Sequence, residues 1–123
     1  MEAAGQTFEH STADQRAARR VRGLVRTTDP GGVRVELFWG PIDDHRLFVS
    51  PTGVSGFVTG DMGLGHIVLG TPQLGAAVAF YTNVMGFRVS DLWKPGADDV
   101  VFTHCNARHH SLALVGAPVS INQ

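Results

Sequence analysis

Cysteine is nearly missing from this chain. Cys105 is the only one, so no disulfide can form within it, and such usage fits a reducing compartment. Net charge is nearly missing too. Ten Lys and Arg face eleven Asp and Glu, a formal balance of −1, which excludes a strongly basic binder of nucleic acid or anionic membrane. No apolar run approaches the roughly 20 residues of a membrane-spanning helix. The opening Met1-Glu2-Ala3-Ala4-Gly5-Gln6 carries neither a basic n-region nor an apolar h-region. A secretory signal is therefore not expected, and the cytoplasm is the expected location. Phosphate-loop spacing is absent around Gly63 and Gly65, which precede neither G-x-G-x-x-G nor G-K-[ST]. No C-x-x-C pair includes Cys105, which is expected to be a small buried residue rather than a nucleophile.

What is present is apolar and turn-rich: 43% hydrophobic residues and 15 glycines in 123 positions. That composition suits a globular fold, one domain by length or pieces of two. Residues 1–10 read as a loose lead-in. Thr12 to Arg22 reads as a short helix capped by Ser11 or Thr12. Leu24–Thr28 and Val33–Trp39 flank the turn signal Asp29-Pro30-Gly31-Gly32, which predicts a β-hairpin. Its alternation sets Val33, Val35, Leu37 and Trp39 on one face and Arg34, Glu36 and Phe38 on the other. Residues 41–62 read as a linker with brief apolar pieces such as Leu47-Phe48-Val49.

A second unit begins near Asp61. His66–Leu69 reads as a strand, and Thr71 is expected to cap a helix starting at Pro72. Leu74, Ala77, Val78, Tyr81, Val84 and Met85 fall on one helical face, with Gly86 as the stop. Phe87–Trp93, Asp99–Cys105 and His110–Val115 follow as strands, with a turn at Lys94–Asp98. The order is β-α-β-β-β. Such a unit presents an open sheet with an exposed edge that wants a partner.

Histidines supply the candidate chemistry. His66 opens one strand and the pair His109-His110 opens another. Alternation places His66 with Val68, His110 with Leu112 and Leu114, and His104 with Phe102. His66, His110 and His104 could then reach one concave surface. The bland reading is that a histidine at a strand end is a hydrogen-bonded surface residue, and His10 and His45 are read that way. From the residues alone the chain offers a candidate histidine metal site in a small α+β domain and nothing more specific.

Five segments carry a family resemblance. Phe57-Val58-Thr59-Gly60-Asp61-Met62-Gly63-Leu64-Gly65-His66-Ile67-Val68-Leu69 resembles the start of the catalytic domain of type I extradiol ring-cleavage dioxygenases, members of the vicinal oxygen chelate superfamily. Phe80-Tyr81-Thr82-Asn83-Val84-Met85-Gly86-Phe87-Arg88-Val89-Ser90-Asp91 resembles their F-Y-x-D-V-L-G-F-x-x-S-D stretch. His104-Cys105-Asn106-Ala107-Arg108-His109-His110-Ser111-Leu112-Ala113 resembles their H-C-N-x-R-H-H-S/T-L-A signature. Asp29–Gly32 and Glu36–Gly40 resemble the closing hairpin of their N-terminal domain.

The resemblance implies an α+β fold of β-α-β-β-β modules, incomplete here. Residues 1–60 would be the closing hairpin plus linker, and 61–123 the first module of the catalytic domain. It implies a fragment of a non-haem Fe(II) enzyme that cleaves a catecholic ring with O₂, the iron held by two histidines and a glutamate. His66 matches the first ligand, His110 the acid/base, and His109 and Asn106 its neighbours. The other two ligands are expected beyond Gln123, so the chain alone is expected not to turn over. Expected partners are a catechol-type molecule, O₂ and a second copy of the chain, with no nucleic acid and no membrane. The segment Leu92–Asp99 is short for the family, which alters one expected pocket wall. Glu36, in a repeat-like V-x-L-F-W-G context, could replace the missing glutamate if the hairpin docked toward His66. The rival readings are a glyoxalase-like metalloenzyme of the same superfamily and a non-catalytic binding or self-association module.

Overall fold

A computed structural model describes residues 5–43, 46, 49–56, 60–63, 65–94, 99–118 and 121–122. Its N-terminal part is an antiparallel sheet with one helix. Strand β1 (Glu9–His10) pairs with β2 (Val21–Thr28), which pairs with β3 (Arg34–Pro41). The lead-in thus ends in a strand, too short for any periodicity to show. Helix α1 (Ala13–Arg19) begins at a capping box. Gln15 N donates to Thr12 Oγ1 at 3.3 Å, and Thr12 N donates to the Gln15 side chain at 3.0 Å. The turn at Asp29 closes through Gly32 N donating to Asp29 O at 3.0 Å and Val33 N donating to Asp29 Oδ1 at 2.8 Å.

The second part follows the expected β-α-β-β-β order. Strand β4 (Ile67–Thr71) leads to α2 (Leu74–Ala79), a π-helical turn (Phe80–Val84), β5 (Arg88–Trp93), β6 (Val100–His104) and β7 (Leu112–Gly116). A short β8 (Ile121–Asn122) pairs antiparallel with β4. The sheet order is β5-β6-β7-β4-β8, and β4 runs parallel to β7.

Helix α2 starts later than expected. Gln73 N donates to Thr71 Oγ1 at 3.2 Å, so the threonine turns the chain before the helix, and Pro72 lies outside it. The predicted apolar face holds. Ala77 and Tyr81 are buried in the core, and Leu74, Val78, Val84 and Met85 pack against it. The last turn widens, with Met85 N donating to Phe80 O at 3.1 Å and Phe87 N to Tyr81 O at 2.9 Å. Gly86, at φ +77, takes the left-handed step that ends it. Residues 95–98 of the expected turn lie outside the described residues, but its ends meet: Lys94 Nζ sits 3.3 Å from Asp99 Oδ2. Pro41 still belongs to β3, and the described residues between 42 and 62 are irregular as expected, apart from a 3₁₀ turn at Gly60–Met62. His45, Leu47 and Phe48 lie outside the described residues.

Leu69, Ala77, Phe80, Tyr81, Val101, Leu112 and Leu114 form one buried cluster. Paired residues share a sheet face, so Leu69, Val101, Leu112 and Leu114 all face α2. Val68, Ala113 and Phe102 face the other way. This corrects one expectation. His110 does not share a face with Leu112 and Leu114, because β7 begins at Leu112 and residues 105–111 bend, so alternation does not extend back.

The hairpin docks onto the second unit. Tyr81 Oη donates to Asp29 Oδ2 at 3.0 Å, both residues buried, and Gln73 Nε2 donates to Pro30 O at 3.1 Å. Val35 packs against the core cluster. Between the two parts lies an apolar cavity of about 300 Å³, lined among others by Val33, Val35, Leu37, Leu69 and Phe87. Glu36 points elsewhere. It accepts from Arg19 Nε at 2.9 Å and Arg26 Nε at 3.0 Å. The docking that could have carried Glu36 toward His66 therefore turns its side chain toward α1 instead. Those guanidinium groups hold its carboxyl below the usual range, the Arg19 hydrogen bond being the largest cause. Among the described residues no helix is long and apolar enough to cross a membrane.

A candidate metal and acid–base site

His66 lies one residue before β4, and His110 two residues before β7. Parallel strands begin at the same end of a sheet, so these residues emerge side by side. Ile67 is the pairing partner of Leu112, and Ile67 N donates to Ser111 O at 3.1 Å. The His66 and His110 rings meet with centroids 4.7 Å apart at 48°. Phe102, on the face turned away from α2, backs His110 at 4.9 Å. His109 Nδ1 lies 3.0 Å from His110 Nδ1, so one ring donates to the other according to tautomer.

His110 is held below the ordinary histidine value. Lost hydration is the largest cause, followed by charge on His66, His109 and Arg108. The neutral imidazole is thus its resting form at pH 7. His104 does not join the pair. Its Nδ1 sits 2.8 Å from Asn106 O, and since a carbonyl only accepts, that nitrogen carries the proton. His10 is exposed on β1, as an ordinary surface histidine would be. Cys105 is exposed rather than buried, because it falls in the bend just past β6 and not in the strand.

The bend 105–111 is tied to the turn before β4. Asn106 Nδ2 donates to Met62 O at 3.0 Å, and Arg108 Nε donates to the same oxygen at 3.0 Å. Arg108 Nη2 reaches Gly63 O at 3.4 Å. Asn106 Oδ1 accepts from Arg108 N at 3.0 Å and Ser111 Oγ at 3.1 Å. Sequence reasoning missed Arg108. An asparagine bonding the N–H two residues on is legible in Asn106-Ala107-Arg108. The Met62 carbonyl, 44 residues from Asn106, is not. Among the described residues, no group of three or more His, Cys, Asp or Glu side chains converges as around a metal ion.

Residues 63–122 match the family model described as the glyoxalase/bleomycin resistance protein/dioxygenase superfamily. That segment of the chain belongs to the superfamily. A 3-methylcatechol 2,3-dioxygenase of Pseudomonas putida is 44% identical over a 126-residue alignment covering 98% of this chain and 43% of that protein. An iron-dependent extradiol dioxygenase of Rhodococcus jostii is 41% identical, covering 96% of this chain and 43% of its own length. A solved structure of a halotolerant catechol dioxygenase matches at TM-score 0.80 and 41% identity, over 98% of this chain and 41% of that one. The chain thus spans about two fifths of the relatives it matches. Its β-α-β-β-β unit is the superfamily's module, and the expected α+β class holds.

Proposed function

We propose that this chain carries the first metal ligand and the acid–base histidine of a non-haem Fe(II) extradiol dioxygenase, which opens a catecholic ring with O₂. The observation that carries the reading is the His66–His110 contact at the common mouth of two parallel strands. The relatives' names support the reaction class over a glyoxalase-like one, and 3-methylcatechol, named for the Pseudomonas putida relative, supports a small catechol as substrate class.

The residues fit one corner of an iron site: His66 is exposed and free to coordinate, and the described residues supply no triad. Bound there, Fe(II) would bring catechol and O₂ together and carry electrons between them. The rest is proton handling. A catechol that binds through both oxygens must lose protons, and a neutral His110 beside the ligand can take one. His109 governs which His110 nitrogen is available. When His110 donates Nδ1–H to His109, its Nε2 is left as a base; the reverse tautomer makes Nε2 a donor. Phe102 walls the His110 ring from water on one side.

The test is anaerobic titration of Fe(II), or of Co(II) as its paramagnetic stand-in, into the ¹⁵N-labelled chain. Line broadening is expected around His66, lost in His66→Ala and kept in His110→Ala. Equal broadening in His66→Ala would overturn the ligand assignment.

A second reading, self-association, is favoured by β5. Every residue of this edge strand is exposed, Leu92 and Trp93 among them. An open apolar edge templates pairing with another copy. Sedimentation equilibrium separates a dimer from a monomer, and a monomer at high concentration would remove this reading.

A further inference from the structure

We infer that Arg108 and Asn106 are positioning residues: together they latch the Gly60–Met62 turn to the 105–111 bend and so set His66 against His110. The inference rests on the proposed role of His66, and deepens it.

The geometry assigns each group one task. Two donors from different residues, Asn106 Nδ2 and Arg108 Nε, converge on a single acceptor, Met62 O, each at 3.0 Å. A carbonyl has two lone pairs, so this fills its capacity. Arg108 extends the grip to Gly63 O at 3.4 Å. On the other side, the Asn106 carboxamide oxygen fixes the bend through Arg108 N and Ser111 Oγ. Ser111 in turn gives its carbonyl to Ile67 N, the residue after His66. His66 is therefore held from both flanks. Four residues before it, Met62 is pinned by the latch; one residue after it, Ile67 is pinned by the strand ladder.

Asn106 uses both ends of its carboxamide in this circuit, with Oδ1 accepting two hydrogen bonds and Nδ2 donating one. Gly63 belongs to the same device. Its φ is +66, and a Cβ there would lie 3.0 Å from Asn106 Nδ2, so a side chain would strain the backbone and press on the latch. The arginine charge has a second effect, since it is one of the causes that keep His110 neutral.

The test reads the ring contact itself and needs no metal. Centroids 4.7 Å apart place ring protons of His66 and His110 within range of a nuclear Overhauser effect. That effect is expected in the parent chain. It should be lost in Arg108→Ala and in Asn106→Ala. Asn106→Asp is the sharper variant, because a carboxylate still accepts from Arg108 N and Ser111 Oγ but cannot donate to Met62 O. It should keep the bend's amide shifts while moving those of Met62, Gly63 and His66. A residue that merely stabilised the fold would lower the melting temperature and leave the histidine contact intact. Persistence of the contact in Arg108→Ala and Asn106→Ala overturns the inference, as does its absence from the parent. The paramagnetic titration of the parent, run beside it, reports on the metal assignment separately: contact and latch can stand even where His66 takes no metal.

Discussion

Two joints hold this chain in register, and they are built on opposite principles. One is the Asp29–Tyr81 clasp between hairpin and helix, where a carboxylate and a phenol are both buried beside an apolar core. The other is the Asn106–Arg108 latch beneath the histidines, where half-buried polar side chains grip backbone carbonyls at the edge of solvent. Burial makes a hydrogen bond costly to leave unmade, because the abandoned partner has no water to turn to. At the latch, water can replace each lost bond. The first joint should therefore govern whether the chain folds, and the second where two rings sit within a fold that survives.

The largest effect tests the framework common to both. Leu114 is fully buried on β7, the strand shared by the core and the site. Leu114→Ala is expected to cost about 2–5 kcal/mol through lost burial and a residual cavity. Chemical denaturation should show the midpoint falling sharply, and a change under 1 kcal/mol would mean that β7 is not packed as described.

Next comes the clasp. Tyr81→Phe removes the donor to Asp29 Oδ2 and leaves a buried carboxylate oxygen short of a partner, at a cost of about 1–3 kcal/mol. The His66–His110 contact should be unchanged. Tyr81 is the only tyrosine, so its titration can be read directly from phenolate absorbance. Burial first, then the Asp29 charge and hydrogen bond, push its pKa above the ordinary value near 10. A raised folded pKa means that this stabilisation is full below the unfolded value and is lost as pH climbs past it. Phenolate absorbance should thus appear only together with unfolding. Titration near pH 10 in a chain that stays folded would show the clasp to be open.

The site gives a smaller signal. His110 is held low, so the folded state resists its protonation, and any stability it contributes is present above the unfolded value near 6.5 and lost as pH falls below it. The His110 ring resonances should titrate below the ordinary histidine value near 6.5. His66→Ala removes one of the lowering charges and should move His110 partway back. An unmoved titration would mean that hydration loss alone sets its value.

The sequence was most legible where one local rule sufficed. The apolar stripe Leu74–Met85, the Asp29–Gly32 turn and the order of the second unit needed only periodicity and turn chemistry, and all are found. Of the two caps that the sequence offers, Ser11 and Thr12, the structure uses Thr12. What escaped were features set by partners distant in sequence. Alternation carried back from Leu112 put His110 on the wrong face, because nothing local announced that residues 105–111 bend toward the Met62 carbonyl. The π-widened end of α2, where the rings of Phe80, Tyr81 and Phe87 meet edge to face, is likewise not encoded in a period. The histidines were found as candidates, yet their contact depends on parallel pairing of strands more than 40 residues apart.

Glu36 should give the smallest effect, and it sharpens the contrast between the joints. It is the carboxylate that a bare repeat argument would send to the metal, yet it is paired with two arginines on the face turned toward α1. Its depressed pKa means that the pairing stabilises above the ordinary carboxylate range and fades as pH falls through the lowered value. Arg19 is exposed and Glu36 and Arg26 are only partly buried, so water and salt still screen these pairs and they contribute little. Glu36→Gln should therefore leave the denaturation midpoint nearly unchanged at neutral pH, with any difference vanishing in acid or at high salt. Paramagnetic broadening at His66 should be identical to the parent's. If broadening weakened instead, the hairpin would have to visit the histidine face, and the Asp29–Tyr81 clasp that prevents this would have to open.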